Sequence, residues 1–300
     1  MPSRLNSKER VDRALHGEDV DRPPFTLWNH FGLERLPAGH HARATLEFHS
    51  RHRTDLVKVM SDFPYPRPHR GLESLKEETN PFPEQIRALE MIRDGLAGSK
   101  YFVETVFNPY NQARKITSKA EVARLRREDP QALLDALEII AKSEANHARR
   151  AIEAGASGIF LAIDNAIEGI LTRDEYAKFS EPFDRMVLDA VRSAPLNLLH
   201  LHGDKVYLDV FCQGWPVAGI NYSAQTTGVG IADVRARYNG LIMGGIDEVN
   251  YRTLTEAQIR EQWHAAQSAA GKRFFLAPGC SVPDDSADEE LSRLAAVLGA

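Results

Sequence analysis

The sequence has few cysteines and no long apolar stretch. Only two of its 300 residues are cysteines, Cys212 and Cys280, which is too few for a disulfide framework. No apolar run reaches the roughly 20 residues that a membrane-spanning helix needs. The first residues are polar and charged, without the apolar core of a secretory signal. We therefore expect a cytoplasmic protein in which each cysteine is either a small buried residue or a functional thiol.

Long runs of one charge are also lacking. The chain has 37 Lys and Arg against 42 Asp and Glu, a formal net charge of −5. Its densest basic stretch, Arg124–Arg127, is followed at once by Glu128 and Asp129. Because nucleic-acid binders carry a clustered positive charge, this composition argues against a dedicated one. We expect the partner to be a small-molecule substrate.

Short apolar runs alternate with helical segments along the chain. The predicted strands are Pro24–Asn29, Asp55–Met60, Tyr101–Phe107, Gly158–Ile163, Asn197–His202, Val217–Tyr222, Leu241–Ile246 and Arg273–Ala277. The predicted helices are Ser7–Leu15, Pro83–Leu96, Gln131–Ala154, Thr172–Ser193, one from Thr253 to just before Gly271, and Asp288–Leu298. Buried strands that alternate with helices are typical of a parallel sheet with right-handed crossovers.

The count of eight strands favours a closed barrel over an open sheet, which remains the alternative if two strands are wrong. We therefore predict an α/β fold, a single (β/α)8 TIM-barrel domain over residues 1–300, with an N-terminal helical extension. The segment Ser61–Pro83 is rich in proline and charge and is either an active-site lid or a plain surface loop.

Polar residues follow most of the predicted strands, at the end where TIM barrels carry their catalytic groups. We predict catalytic roles for Asp62, Asp164 and Tyr222, and substrate-binding roles for Trp28, His30, Asn165, Asn221 and Asp247. A helix cap or a loop ion pair is the alternative for Asp62, and a structural turn is the alternative for Asp164 and Asn165.

The most informative local pattern is His200-Leu201-His202. Residues two apart on a strand point to the same side, so both imidazoles can face the barrel mouth, where Cys280 follows the last predicted strand. Two imidazoles and a thiolate suit zinc and leave a fourth position for water or substrate. An open zinc site can turn a bound thiol into a nucleophile at neutral pH. The alternative is that one imidazole bonds to a backbone carbonyl and Cys280 is packed.

Five segments, taken in order, resemble the signatures of the uroporphyrinogen decarboxylase superfamily. They are Ser7–Pro24, Asp55–Asp62, His200–Gly203, Gly244–Asp247 and Leu276–Cys280, and the resemblance extends over nearly the whole chain. It implies a TIM barrel and one of two chemistries. One branch removes carboxylates from uroporphyrinogen without a cofactor. The other moves a methyl group between a corrinoid carrier and a thiol such as coenzyme M, using zinc held by a His-x-Cys pair and a later Cys.

The sequence departs from both branches. The decarboxylases bind the carboxylates of their substrate through an Arg-rich motif after the first strand. The corresponding segment of this chain, His30–Leu36, lacks that motif. In the methyltransferase branch a cysteine stands where this chain has His202. Imidazole is still a zinc ligand, although it makes the site less electron-rich than a second thiolate would.

The resemblance is therefore closer to the methyltransferase branch. It implies a Zn²⁺-dependent methyltransferase or demethylase with the metal on His200, His202 and Cys280, and a corrinoid protein as partner. The main alternative is a cofactor-independent decarboxylase of a tetrapyrrole or smaller acid, in which Asp62 stabilises a protonated pyrrole nitrogen. A third hypothesis is a barrel that has lost catalysis and only binds a ligand or a partner. Barrels of this kind often form homodimers.

Overall fold

The computed structural model describes residues 4–33, 35–61 and 63–300. Within these residues seven strands form one parallel sheet in chain order. They are β1 (Leu56–Val59), β2 (Tyr101–Phe107), β3 (Ile159–Ile163), β4 (Leu198–Leu201), β5 (Gly219–Tyr222), β6 (Leu241–Ile246) and β7 (Phe274–Pro278). Because each strand pairs in parallel with the next, all carboxyl ends lie along the same edge of the sheet.

Helices connect the strands and cover the outside of the sheet. They are α1 (Ser7–His16), α2 (Ala38–Arg51), α3 (Pro83–Leu96), α4 (Pro109–Ile116), α5 (Lys119–Glu128), α6 (Pro130–Glu153), α7 (Arg173–Phe179), α8 (Glu181–Asp189), α9 (Leu208–Phe211), α10 (Ala224–Thr227), α11 (Ile231–Arg235), α12 (Glu256–Ala270) and α13 (Asp288–Leu298). Short 3-10 turns lie at Leu72–Ser74 and Tyr251–Thr253. No helix in the described ranges is long and apolar enough to cross a membrane.

The first predicted strand, Pro24–Asn29, is not a regular strand. Its Phe25 forms a single parallel bridge with Leu276 of β7, and its Pro24 carbonyl accepts a hydrogen bond from the Leu276 amide. On the other side, the Thr26 hydroxyl donates to the carbonyl of Leu56 at the start of β1. Pro24 has no N–H, and the amide of Phe25 donates to a side chain, so a regular ladder cannot form here.

The observed fold is thus a curled parallel sheet of the TIM type, with seven strands in the described part of the chain where eight were predicted. The segment around Phe25 contacts both outer strands of this sheet, β1 and β7. The other seven predicted strands match observed ones to within two residues at each end.

The N-terminal helix is part of the core. Val11 and Ala14 of α1 are fully buried in one apolar cluster with Leu56, Leu198 and Leu241. These three leucines are the first residues of β1, β4 and β6. The helix therefore covers the amino ends of the strands from inside the curl of the sheet. The prediction of an N-terminal helical extension, in the sense of an appended element, is not confirmed.

The predicted helix Thr172–Ser193 is in fact two helices, α7 and α8, which meet at Ser180. The backbone leaves helical geometry there, with φ −136° and ψ −56°. Pro182 stands two residues later and lacks the N–H that a continuous helix would need. The break lets the Ser180 hydroxyl donate to the Asp184 carboxylate in the interior.

Buried ion pairs attach α1 to the sheet. The Arg10 guanidinium lies 2.6 Å from one oxygen of Asp55, and the Arg22 guanidinium lies 2.5 Å from the other. Asp55 also accepts hydrogen bonds from the Phe25 amide and the Ser7 hydroxyl. The side chains of Arg10 and Asp55 are 3% and 1% exposed. One carboxylate therefore joins α1, the Phe25 segment and the start of β1.

We predict that Asp55→Ala lowers the free energy of unfolding by about 3–5 kcal/mol, because it leaves Arg22 without its buried counter-charge and leaves Arg10 with Asp21 alone. The measurement is equilibrium unfolding in urea. The matched control is Asp209→Ala, which removes the partner of Arg173 from an ion pair that is about half exposed. Solvent screening should make this second loss much smaller. Equal losses in the two variants would contradict the account.

Candidate metal centre

Three potential metal ligands converge at the carboxyl ends of β4 and β7. The Cys280 sulfur lies 3.3 Å from Nδ1 of His202 and 3.7 Å from Nε2 of His200. All three ligand atoms lie within 4.8 Å of one another. His200 is the last but one residue of β4, His202 directly follows that strand, and Cys280 comes two residues after β7. The structure therefore brings together the three residues that the sequence predicted as metal ligands.

The spacing of these atoms fits zinc. A zinc ion bonds to sulfur at about 2.3 Å and to imidazole nitrogen at about 2.0 Å, so a tetrahedral angle separates the two atoms by roughly 3.5 Å. The two observed sulfur–nitrogen distances, 3.3 and 3.7 Å, lie on either side of this value. Two imidazoles and a thiolate are also a donor set that zinc prefers.

A hydrogen bond with the side chain of Asn221 fixes the orientation of the His200 ring. Its side-chain nitrogen donates to the carbonyls of Met243, at 3.0 Å, and Pro278, at 3.1 Å, so both amide hydrogens are used. Its oxygen lies 2.6 Å from His200 Nδ1 and can only accept. Nδ1 of His200 therefore carries a hydrogen, and Nε2 is left facing Cys280, as a metal ligand or, when protonated, as a donor to the thiolate.

Glu248 and Gly279 set the turn that carries Cys280. The Gly279 amide donates to one carboxylate oxygen of Glu248 at 3.1 Å, and the Thr226 hydroxyl donates to the other at 3.3 Å. A Cβ at position 279 would lie 2.3 Å from the Cα of Ser223, so only glycine fits in this turn. The backbone leading to Cys280 is therefore fixed by close packing and by a buried carboxylate.

The electrostatics of the cluster favour a thiolate. Burial disfavours ionisation of Cys280, but hydrogen bonds and positive charge from His200 and His202 outweigh it and lower the pKa of the thiol to about 4. The hydrogen bond with Cys280 in turn raises the pKa of His202. The other cysteine behaves differently, because burial raises the pKa of Cys212 and its sulfur donates to the Leu208 carbonyl. Cys212 is a core residue.

The three ligands line a cavity of about 240 Å³. The other lining residues are Trp28, His30, Lys58, Met60, Thr105, Phe107, Asn111, Phe160, Ala162, Asp164 and Ser281. The Phe160 ring stacks on the His200 ring, with centroids 5.3 Å apart and planes 21° apart. Pockets for drug-sized molecules measure about 300–1,000 Å³, so this cavity suits a smaller substrate. A larger groove of about 670 Å³ between α2 and the end of α3 contains no metal-ligand cluster among its described residues.

Three further predicted site residues lie in the cavity wall: Trp28, His30 and Asp164. The carboxylate of Asp164 forms an ion pair with Arg114, whose Nη1 lies 3.0 and 3.1 Å from its two oxygens. Asp164 therefore presents a compensated charge at the cavity rather than a lone carboxylate. Asp62, predicted to be catalytic, lies outside the described residues.

The remaining predicted residues lie elsewhere. Asn165 is fully buried and bonds to Asn108 and Ser180, behind the sheet. Tyr222 is 1% exposed in the outer core, and its hydroxyl has no hydrogen-bond partner among the described residues. Asp247 accepts hydrogen bonds from the amides of Val249 and Asn250 and so closes a turn. Asn221 does not line the cavity, since it contacts the Nδ1 side of His200, away from Cys280. None of these four side chains lines the cavity.

Sequence reasoning missed Lys58, Phe160 and Glu248. Lys58 is only 4% exposed and lines the cavity from within β1. The signal was present, because a lysine within the apolar run Asp55–Met60 is an unusual charge in a buried strand. Phe160 and Glu248 gave no such signal, since a buried phenylalanine and an acidic residue after a strand are both common.

Comparisons with known proteins agree with this fold. The family model for uroporphyrinogen decarboxylase (URO-D) matches residues 58–298. A methyltransferase from Methanosarcina mazei has a similar structure, with a TM-score of 0.81 and 17% identity over 98% of both chains. A B12-independent methionine synthase from Shewanella sp. W3-18-1 is similar at a TM-score of 0.61 and 12% identity over 92% of both chains. No curated protein sequence matches. The predicted superfamily is confirmed, and identities this low establish the fold alone.

We predict that iodoacetamide alkylates Cys280 of the metal-free protein at a nearly constant rate from about pH 6 to 8, because the thiolate is the reactive form. An ordinary thiol would react about tenfold faster for each pH unit in this range. Mass spectrometry of a Cys212→Ser background measures Cys280 alone. His202→Ala should restore a rate that rises with pH. A steep rise in the parent protein would contradict the low pKa.

We also predict that Asn221→Ala weakens binding of added zinc about 10–100-fold, since outer-shell partners of metal-bound histidines contribute effects of this size. Competition with a chromophoric chelator measures the affinity. The control is Asn165→Ala, which removes another fully buried amide that is not bonded to a metal ligand. Similar zinc affinity in both variants would show that Asn221 does not position His200.

Proposed function

Because this chain belongs to the uroporphyrinogen decarboxylase family, we propose that it is a zinc-dependent methyltransferase or demethylase that activates a thiol. The observation that carries this proposal is the convergence of two imidazole nitrogens and one thiol sulfur, from His200, His202 and Cys280, at one small cavity. Its support is the donor set, the sulfur–nitrogen spacing and the hydrogen bond that orients His200. The similarity in fold to a methyltransferase is in keeping with it.

Zinc bound here would supply an open coordination position in which a substrate thiol is deprotonated near neutral pH. The residues of the chain prepare this position. Asn221 holds His200 in one ring orientation, and the Glu248 contact with Gly279 holds Cys280. Trp28 and Phe160 cover the inner side of His200 and keep bulk water away from its ring. A ligand site held this rigidly needs little reorganisation when substrate enters.

In the proposed reaction the thiol proton leaves to solvent, and the sulfur attacks the methyl carbon of the donor. A carbon–sulfur bond forms while the bond between the methyl group and the donor breaks, and the electron pair of that bond stays on the donor. We propose a corrinoid carried by a partner protein as the donor. The demethylase direction is the reverse of this transfer. Trp28, His30 and Asp164, with its Arg114 partner, are the wall residues that we propose contact the substrate.

Several broader features belong to the same proposal. We propose that residues 1–300 form a single domain and that the protein works in the cytoplasm. A homodimer is the expected assembly of a barrel of this kind. A catalytic role for Asp62 rests on the family resemblance of its segment.

The alternative reaction, decarboxylation without a cofactor, has less support. A four-ring tetrapyrrole is several times larger than a cavity of about 240 Å³. No arginine is among the described residues that line the cavity, although a polycarboxylate needs several cationic contacts. Decarboxylation would also leave the three metal ligands without a role.

We predict that the purified wild-type protein holds about one zinc ion per chain. Both His202→Ala and Cys280→Ser should reduce this to a small fraction, because each removes one of three protein ligands. Elemental analysis after dialysis against a weak chelator measures the content. Cys212→Ser is the matched control and should keep its zinc, since Cys212 is buried away from the cluster. Wild-type protein without zinc, or zinc retained equally by all variants, would overturn the proposed function.

A further inference from the structure

The segment between β1 and α3, residues 63–82, forms one side of a second cavity. This cavity measures about 250 Å³. Phe63, Tyr65 and Arg67 line it from the segment, and Phe107 and Gln112 line it from the side of β2 and α4. Phe107 also lines the cavity that contains the metal ligands. The two cavities therefore share one aromatic ring as a wall, and the segment borders the second cavity.

Two sets of hydrogen bonds hold this segment in place. Near its end, the Glu78 amide donates to the Ser143 hydroxyl at 2.9 Å, and the Asn146 side chain donates to the Glu78 carbonyl at 3.0 Å. Ser143 and Asn146 both belong to α6. At the tip, the Ser74 hydroxyl accepts from the Arg70 amide within the segment itself. The tip is thus a turn with bonds of its own, and the contacts with α6 decide whether the segment stays docked.

A fully buried pair, Glu104 on β2 and His147 on α6, fixes the chain at both ends of the segment. His147 Nε2 lies 3.0 Å from one oxygen of Glu104. The other oxygen accepts from the Gln85 amide, which also donates to the carbonyl of Met60 just before the segment. At the far end, the Phe82 ring contacts the His147 ring at a centroid distance of 4.8 Å. A segment that opens as a unit turns about a few fixed end positions such as these.

Glu144 lies where the segment docks on α6, next to Ser143, and its side chain is fully buried. One of its oxygens accepts from the Gln112 amide at 2.8 Å, so Glu144 stands one hydrogen bond behind the second cavity. Its other oxygen is buried and has no hydrogen-bond partner among the described residues. A buried carboxylate with so few donors is costly, and the neutral acid is favoured. Burial accordingly raises the pKa of Glu144 to about 7, although the charge of His147 and the Gln112 bond oppose the shift.

Other charged or titratable groups face Glu144 from the neighbouring elements. The charge of Lys115 on α4 lowers its pKa, and the charge of Glu104 on β2 raises it. Tyr65 faces Glu144 from the segment, and burial, with the charges of Glu144 and Glu78, raises the pKa of Tyr65 to about 12. The ionised form of Glu144 is therefore disfavoured while the segment is docked, and it gains hydration when the segment lifts.

We propose that residues 63–82 form a lid over the second cavity, and that Glu144 is its latch, holding the lid closed when neutral and releasing it on ionisation. Opening then releases a proton, which links it to pH. The advantage of the closed lid is complete below the ordinary carboxyl pKa of 4.5 and is lost as the pH rises through about 7. The lid controls access to the second cavity and to Phe107, the wall that this cavity shares with the metal ligands.

Hydrogen exchange of the full chain between pH 5 and 8, followed by mass spectrometry, tests this proposal. Each rate is divided by the intrinsic exchange rate at that pH, which leaves the opening equilibrium. The reporter is the peptide that contains Glu78, whose amide is bonded to α6 in the docked segment. We expect its opening equilibrium to rise roughly five- to tenfold per unit from pH 5 to 7, and less than about twofold from pH 7 to 8. Peptides from β4, β5 and β6 should not show this rise.

Two variants separate the latch from the rest of the fold. Glu144→Gln keeps the size and the Gln112 contact but cannot ionise, so lid opening should stay within about twofold of its low-pH value throughout. Glu138→Gln is the matched control, the same change at a half-exposed position of α6 paired with Lys142, and it should keep the wild-type profile. A wild-type profile in Glu144→Gln overturns the proposal.

The wild-type protein decides alone if Glu144→Gln does not fold. A lid peptide whose opening does not rise between pH 5 and 7 overturns the proposal. The same rise in the peptides of β4, β5 and β6 also overturns it, because the whole protein rather than the lid is then opening. A rise confined to the lid peptides supports it. All samples are brought to the same metal content, so the result does not depend on the proposed zinc chemistry.

Discussion

The side chain of Asn221 is the contact on which the arrangement of the candidate site depends. Its oxygen accepts from His200 on β4, and its nitrogen donates to the carbonyls of Met243 on β6 and Pro278 on β7. With Asn221 itself on β5, one buried amide joins four consecutive strands. The sheet register places Asn221 directly beside both His200 and Met243, so these bonds follow from the pairing of the strands. A fully satisfied polar group in a low-dielectric interior fixes a single arrangement.

The curl of the sheet brings the three residues of the candidate metal centre together. Cys280 lies 78 and 80 residues along the chain from the two histidines, and only the curled sheet brings the end of β7 to face the end of β4. Glu248 and the close packing of Gly279 then leave the Cys280 turn little freedom. On the cavity side, the ring of Phe160 stacks on the ring of His200 and further restricts its orientation. The three side chains are therefore held in place by the protein's own contacts, which is the preorganisation that the proposed zinc site needs.

The sequence predicted the strands well, because buried parallel strands are short apolar runs that leave a clear pattern. The strand predicted around Phe25 was wrong because the backbone there makes part of its hydrogen bonds to side chains, which the apolar pattern does not show. The convergence of His200, His202 and Cys280 was predictable from a period of two and a position at the rim. The same period explains why Tyr222 and Asn165 do not line the cavity, since each directly follows a residue that points to the opposite face. Which face is inner depends on register and curl, and these are long-range properties of the sheet.

The central claim is that His200, His202 and Cys280 together bind zinc and leave one position open to a thiol. X-ray absorption spectroscopy at the zinc edge of the loaded protein tests it most directly. The account predicts one sulfur at about 2.3 Å, two imidazole nitrogens at about 2.0–2.1 Å and one light atom. Addition of 3-mercaptopropionate should replace the light atom with a second sulfur. A shell made only of nitrogen and oxygen, or one that the thiol leaves unchanged, would contradict the claim.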